Sequence, residues 1–279
     1  MNNQQKTYFQ WVGKTALITG ASSGIGAAIA RELAGKGLRV ILVARRADKL
    51  SALAGEITFR GGQVLVMPAD LSTPSGCEQL VRKLLQQKIA VDLLVNNAGF
   101  GWYGYFSDMP WQTAQDLLAV NVSAVIHLTR LLLPGMLARH FGHIINMSSI
   151  AGGLPNQGIA MYSASKAFLD AFTTSLHREV RGSGVQVSVV RPGPVKTEFF
   201  QTSRSQPGGK AIPGERLTIT PERVAVAASS LLRHPRRVVY VPWYLAFSAW
   251  FELFFGIIVD QIGPLLLRRS QKTTDISNT

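Results

Sequence analysis

Six short apolar runs recur along the first two thirds of this chain: "KTALITG", "LRVILVAR", "GQVLVMPAD", "VDLLVNNAG", "GHIINMSS" and "VQVSVVRPG". They are dense in Val, Ile and Leu and do not alternate with polar residues. That is the pattern of strands covered on both faces. Longer stretches of helical period separate them. Between the first two runs, Ile25, Ile29 and Leu33 recur every four residues, one apolar stripe on a helix. Gly35 and Gly37 follow where such a helix ends and turns back. Parallel strands cannot be joined by tight hairpins, and their crossovers are right-handed. An α/β fold with an open, doubly wound parallel sheet is therefore expected. A seventh strand is expected in "RRVVYVP", after a helix from Pro221 to Leu232.

No break in composition precedes about residue 200, so residues 13–242 read as one domain. A lead of residues 1–12 comes before it and an apolar tail, 243–279, after it. The stretch "QTSRSQPGGKAIPGE" is polar and rich in Gly and Pro, and reads as a loop. A single cysteine, Cys77, excludes an intramolecular disulfide framework and a Cys-built zinc site. His127, His140, His143, His177 and His234 have no metal-ligand spacing, so no metal is expected. "MNNQQKTYFQW" lacks the apolar core of a secretory leader, and a cytoplasmic protein is expected. The net charge is +13, but Lys and Arg are scattered, with pairs at Arg45-Arg46, Arg236-Arg237 and Arg268-Arg269. No nucleic-acid-binding signature accompanies them, and no nucleic-acid partner is expected.

"TGASSGIG", Thr19 to Gly26, follows the first strand and opens the first helix. In that context a glycine-rich loop has a physical meaning. Gly20 allows a turn with positive φ. Gly24 allows backbone to approach a pyrophosphate, and Gly26 lets the helix pack close to the sheet. The helix N-terminus offers unpaired N–H groups to phosphate oxygens.

"MYSASKAF" sets Tyr162 and Lys166 four residues apart, on one face of a helix. A free phenol has a pKa near 10 and is little ionised at neutral pH. An ammonium about 5 Å away favours the phenolate by roughly 3 kcal/mol at an effective dielectric near 20. The pair is therefore expected to bring the phenol down towards the working range. Ser149 lies at the end of the fifth run, and the pleat turns the adjacent Ser148 away. Asn121 lies inside the helical stretch "DLLAVNVSAVIHLTRLLL", where an Asn is otherwise unfavourable.

In this order and spacing, "TGASSGIG", "NNAG" at 96–99, Asn121, Ser149, "YSASK" at 162–166 and "RPGPVKT" at 191–197 resemble the short-chain dehydrogenase/reductase family. The resemblance covers Lys14 to Val241 and the single-domain branch of that family. It implies a Rossmann fold and reversible hydride transfer between a nicotinamide and a carbonyl or secondary alcohol. It makes Tyr162 the general acid/base, with Ser149 polarising the carbonyl. Lys166 would bind the nicotinamide ribose, and Asn121 would support a water relay. The dinucleotide would meet Gly20, Ser22, Ser23, Gly24, Ile25 and Gly26. Asp70 and Leu71 would meet the adenine, although Asp70 also suits a helix cap near Pro74. Asn96 and Asn97 would line the adenosine side and brace the sheet. Val195 and Thr197 would hold the carboxamide.

The second run ends "ILVARR", with Arg45 and Arg46 and no acid. An acid there selects NAD, and an arginine accommodates a 2′-phosphate. NADP(H) is expected over NAD, mainly through Arg45; the other reading is two solvated surface charges. The substrate is expected to be hydrophobic, with Gly101, Trp102, Tyr103, Tyr105 and Phe106 as an aromatic wall. Entry is expected between Ser149, residues 153–159 and the loop after Gly193. The resemblance also implies a homodimer or homotetramer, paired through residues 121–138 and 160–180.

Rival readings are a sugar-nucleotide epimerase or dehydratase, a non-enzymatic NADP-binding protein, and a membrane-surface protein. The first rival usually carries G-x-x-G-x-x-G and a larger C-terminal domain, and this chain has neither. The last rests on "WYLAFSAWFELFFGIIVDQIGPLLL", residues 243–267, followed by Arg268 and Arg269. Glu252 and Asp260 disfavour a full span. A helix packed on the protein and a helix lying in a membrane interface are the remaining alternatives.

Overall fold

A computed structural model of the protein describes residues 10–210, 218–248, 250, 254, 256–258, 260 and 261. All seven apolar runs form strands of one sheet. These are β1 (Thr15–Thr19), β2 (Arg39–Val43), β3 (Val64–Val66), β4 (Leu93–Asn96), β5 (Gly142–Met147), β6 (Val185–Pro192) and β7 (Val238–Val241). Every neighbouring pair is parallel, in the order β3-β2-β1-β4-β5-β6-β7. After β3 the chain crosses to the far side of β1. Successive crossovers therefore diverge between β1 and β4, and a crevice opens beyond the carboxyl ends of these strands.

The crossovers supply α1 (Gly24–Gly35), α2 (Ala47–Phe59), α3 (Pro74–Gln86), α4 (Trp111–Leu118), α5 (Ala124–Ala138), α6 (Ala160–Glu179), α7 (Phe199–Ser205) and α8 (Pro221–Ser230). The pleat divides the core into two layers. Ala16 and Ile18 of β1 join α1, α2 and α8 in one apolar cluster. Leu17, pointing the other way, joins Leu80 of α3, Leu128 of α5 and Leu176 of α6. Every residue of β1 is buried, which explains why the run shows no polar alternation.

Three expectations change. The helical stretch around Asn121 is not one α-helix, because Ala119–Ser123 forms a π turn between α4 and α5. There Asn121 exchanges hydrogen bonds with the Phe100 backbone, accepting from its N–H at 3.1 Å and donating to its carbonyl at 3.0 Å. The extra residue of the π turn accommodates that inward side chain. The polar stretch read as a loop begins as helix α7, anchored by buried Phe200 and Ser203. Its residues 211–217 lie outside the described residues. The helix before β7 ends at Ser230 rather than Leu232.

Trp111–Ala138, α4 to α5 together, is the one helix among the described residues long and apolar enough to cross a membrane. Its inner face belongs to the core, where Leu117, Leu128 and Met136 are fully buried. In the tail, Trp243–Phe247 is a 3₁₀ turn that brings Leu245 against Gly193. Beyond it the described residues up to Gln261 are helical. Arg268 and Arg269 lie outside the described residues.

Candidate active site

A cleft of about 720 Å³ runs along the carboxyl ends of the strands, from Arg45 and Asp70 at one end to Tyr162 and Phe200 at the other. The glycine loop forms its floor. Gly20 and Gly24 have φ of +65° and +54°, values costly for other residues. A side chain at Gly26 would start 2.3 Å from the Gly20 carbonyl oxygen, so only glycine lets α1 approach so closely. Ser23, at the N-cap of α1, makes no side-chain capping bond. The first-turn N–H groups thus have no side-chain cap and open towards the cleft. This cradle fits a pyrophosphate.

Ser22, Ser23, Gly24 and Ile25 line the cleft, whereas Gly26 lies behind it in the core. The Arg46 guanidinium donates to Ser22 Oγ and Ser23 Oγ, each at 2.9 Å, and to Glu198 at 2.7 Å. Lys49 Nζ donates to the other Glu198 oxygen at 2.6 Å. These bonds, Lys49 first and then Arg46, hold the Glu198 carboxyl down at about 2. Arg45 lies exposed on the same rim. Asp70 accepts from the Ser72 backbone and hydroxyl at 3.0 and 2.8 Å. The backbone bond, above all, holds its carboxyl below the usual range, with the Ser72 hydroxyl and the Arg45 charge pushing the same way. Thr73, not Asp70, caps α3, accepting from Gly76 N at 3.1 Å. Leu71 is buried at the cleft edge.

The two adjacent asparagines face opposite ways. Asn97 lines the cleft and donates to the Thr19 carbonyl at 2.9 Å, tying β4 to the glycine loop. Asn96 is not a cleft residue. It is buried and donates to Asn146 Oδ1 of β5 at 2.9 Å, so its place is that of a sheet brace. Val195 and Thr197 line the opposite wall.

Tyr162, Ser149 and Lys166 converge at the far end. Tyr162 and Lys166 share a face of α6, with Lys166 Nζ 5.6 Å from the centre of the phenol ring. Ser149 follows β5 as the N-cap of a 3₁₀ turn and is hydrogen-bonded to Tyr162. Ser148, turned away, donates to the Lys166 carbonyl at 3.0 Å. The expectation for the phenol is reversed here. Burial pushes Tyr162 up to about 12, and only the Ser149 bond opposes it. Burial also pulls Lys166 down to about 8, against the pull of the Asp170 carboxylate. Loss of water costs the phenolate more than a lysine that faces the Met147 carbonyl returns to it. Asn121 lies one layer behind, donating to Ser165 Oγ at 3.1 Å. A Cβ at Gly99 would lie 3.0 Å from Asn121 Oδ1 and 3.6 Å from Lys166 Nζ, so both approach Gly99.

Two neighbours that the sequence placed only within the loop after Gly193 make specific contacts here. Phe199 stands 5.3 Å from Tyr162, ring to ring, and seals Gly101. Glu198 beside it supplies, from 152 residues away, the acid missing at the end of β2. Of the expected aromatic wall, Trp102 lines the cleft and is fixed by its bond to the Pro207 carbonyl at 3.1 Å. Phe106 instead faces solvent.

The pattern of the short chain dehydrogenase family matches residues 14–208. The chain is 39% identical over 198 residues to a very-long-chain 3-oxoacyl-CoA reductase of Anas platyrhynchos, covering 69% of this chain and 63% of that enzyme. The chain thus spans just under two thirds of that relative's length. A metagenomic short-chain oxidoreductase solved in complex with NADP superposes with a TM-score of 0.69 at 37% identity, over 80% of this chain and 91% of that one. A short chain dehydrogenase/reductase of Burkholderia phymatum, solved in complex with NAD, superposes with a TM-score of 0.81 at 26% identity, over 90% and 96%.

Proposed function

The chain belongs to the short chain dehydrogenase family, and from that premise we propose that it is an NADP(H)-dependent oxidoreductase acting on the carbonyl or secondary alcohol of a hydrophobic substrate. The observation that carries this reading is the convergence of Tyr162, Ser149 and Lys166 at one end of a cleft whose other end is a phosphate cradle. The nicotinamide, when bound, supplies or accepts the hydride. Ser22 to Ile25 hold the pyrophosphate, Arg46 with Arg45 the 2′-phosphate, Asp70 and Leu71 the adenine. Lys166 holds the ribose, and Val195 and Thr197 the carboxamide.

The Ser149 and Tyr162 hydroxyls both direct a proton at the substrate oxygen. As hydride reaches the carbonyl carbon, the Tyr162 proton passes to that oxygen and leaves a phenolate. Lys166 stabilises the phenolate. Asn121, pinned to the Phe100 backbone, keeps the wall behind Lys166 in place. A phenol lifted to about 12 is protonated at neutral pH, the form that reduction needs.

Phe100, Trp102, Leu154, Phe199 and Phe200 give the substrate end its apolar lining. With the named activity of the duck relative, this puts long-chain 3-oxoacyl thioesters first among the carbonyls to try. NADPH oxidation screened over 3-oxoacyl thioesters, steroids, aldehydes and sugars tests the reading. Turnover with an apolar carbonyl is expected. Tight NADPH binding with no turnover of any class would favour a non-enzymatic role.

The same reading makes residues 13–242 the catalytic domain of a homo-oligomer. Phe168, 41% exposed, stacks on Phe172, and α5 leaves Leu131 to Leu133 half covered. Paired copies of α5 and α6 would cover both. Sedimentation of a Phe168→Asp/Phe172→Asp variant at unchanged mass would argue against that pairing. The tail is read as a membrane-surface contact of a cytoplasmic enzyme. Trp243, Trp250, Phe254 and Ile257 are 74, 61, 68 and 75% exposed, so they do not pack on the described protein.

A further inference from the structure

We propose that Glu198 and Phe199 form a two-ended latch across the cleft, opened when the 2′-phosphate of an adenine nucleotide displaces Glu198 from Arg46 and Lys49. The proposal rests on the NADP(H) reading and adds a residue that sets cofactor selectivity and gates the substrate end.

Glu198 sits where a 2′-phosphate would be recognised. One carboxylate oxygen meets Arg46 at 2.7 Å, the other Lys49 at 2.6 Å. The same guanidinium holds Ser22 and Ser23 of the phosphate cradle. Glu198 is thus an internal anion in a cluster built for an external one. All three charged side chains are 38–43% exposed, so their attraction is screened and open to competition. A phosphate with nearly two negative charges and three acceptor oxygens outcompetes a single carboxylate for this cluster. A nucleotide with bare ribose hydroxyls has no charge with which to do so.

The other end of the latch is the next residue. The Phe199 ring packs 5.3 Å from that of Tyr162, and a Cβ on Gly101 would lie 2.5 Å from its edge. Phe199 therefore stands beside the ring whose hydroxyl a substrate oxygen must reach. Thr202 N donates to the Glu198 carbonyl at 2.8 Å, so Glu198 and Phe199 move with the first turn of α7. Thr197 adds a third contact, its methyl 2.9 Å from the Cβ position of Gly24, directly over the cradle. One short segment thus touches the 2′-phosphate cluster, the pyrophosphate cradle and the reacting phenol. Release of Glu198 frees Phe199, so cofactor binding precedes opening of the substrate end.

The test uses adenosine 2′,5′-bisphosphate and 5′-AMP on the full chain, wild type and Glu198→Gln, at one ionic strength. Calorimetry gives affinities, and hydrogen exchange reports on residues 197–205. Glu198→Gln is expected to tighten adenosine 2′,5′-bisphosphate about tenfold, the size of one charge-assisted contact. The affinity for 5′-AMP should stay within about twofold, since only uncharged ribose hydroxyls of 5′-AMP meet this cluster. In the wild type the bisphosphate should speed exchange in 197–205 and 5′-AMP should not. In Glu198→Gln, exchange should already be fast without ligand. Unchanged or weaker bisphosphate binding in the variant, or equal effects of both nucleotides on exchange, would overturn the latch while leaving the dinucleotide site standing. Failure of the wild type to bind either nucleotide would overturn the NADP(H) reading and the latch together. Inorganic phosphate at the same concentration is expected to leave exchange unchanged; equal potency would overturn the nucleotide as the opening signal.

Discussion

Lys166 donates from its ammonium to the backbone carbonyl of Met147 at 2.9 Å, joining α6 to the end of β5 just before Ser148 and Ser149. The lysine that was expected to lower the tyrosine pKa thus has a partner of its own. Burial leaves the phenol at about 12 and the ammonium at about 8. Alcohol oxidation needs the phenolate, whose fraction grows with pH, while carbonyl reduction needs the phenol, which stays saturated. Between pH 5 and pH 7, before Lys166 loses its proton, kcat/KM for oxidation is expected to rise roughly tenfold per pH unit. Reduction should change by less than about twofold over that range. A flat oxidation profile would show that the phenol is not the titrating group.

Cofactor choice is expected to depend on Arg46 more than on Arg45. Arg46 is the arginine tied to Ser22 and Ser23, whereas Arg45 stands exposed at the rim. Arg46→Ala should reduce the preference for NADPH over NADH by roughly 10-fold or more, the scale of one charge-assisted contact. Arg45→Ala should reduce it less. Steady-state kinetics with both cofactors decides, and the reverse order would return the main part to Arg45.

Acid sensitivity of the fold is expected to centre on His143. Its ring is fully buried in β5, with Nε2 2.9 Å from Ser188 Oγ. Ser188 gives its own proton to the Arg236 carbonyl at 2.6 Å, so Nε2 is the donor. Nδ1 has no partner among the described residues. Burial pulls the imidazole down to about 3, with His177 adding to the effect. The folded pKa is below the unfolded value, so the neutral ring favours folding fully above about pH 6.5. That contribution falls as pH drops towards 3, by up to about 1.4 kcal/mol per pH unit. Urea unfolding at pH 4–6 should show a shallower slope in His143→Gln than in the wild type. Equal slopes would place the acid sensitivity elsewhere.

The exposed aromatic tail is expected to bind anionic vesicles in a salt-sensitive way. Trp250 and Phe254 stack 6.3 Å apart with both rings in solvent, an arrangement suited to the headgroup boundary. Removing residues 243–279 should release the protein from phosphatidylserine vesicles while NADPH binding survives. If the full chain ignores such vesicles and the truncated chain aggregates, the tail belongs to the protein's own packing.

The sheet was legible because a parallel strand is covered on both faces, so each run stands out without alternation. Tyr162 with Lys166 and the glycine loop were legible because their spacing is local to one helix or one turn, whereas Ser149 came from the family resemblance and the end of a strand. Glu198 was not, since it reaches Arg46 only through the fold, across 152 residues. The π turn at Asn121 was hidden because one extra residue hardly changes an apolar period. The first turn of α7 was hidden because its helix is held by buried Phe200 rather than by its polar sequence. The pKa of Tyr162 was misjudged for a different reason. A pairwise charge estimate omits desolvation, and that is the larger effect here.

The most direct test of the central claim, that Tyr162 gives its proton to a carbonyl as hydride arrives, is single-turnover NADPH oxidation by the wild type and Tyr162→Phe with an apolar 3-oxoacyl thioester. The account expects carbonyl-dependent oxidation by the wild type, a loss of about 10²–10⁴-fold in the variant, and NADPH affinity changed by less than about threefold, since other residues are assigned to hold the cofactor. A Tyr162→Phe enzyme that oxidises NADPH at the wild-type rate would contradict it.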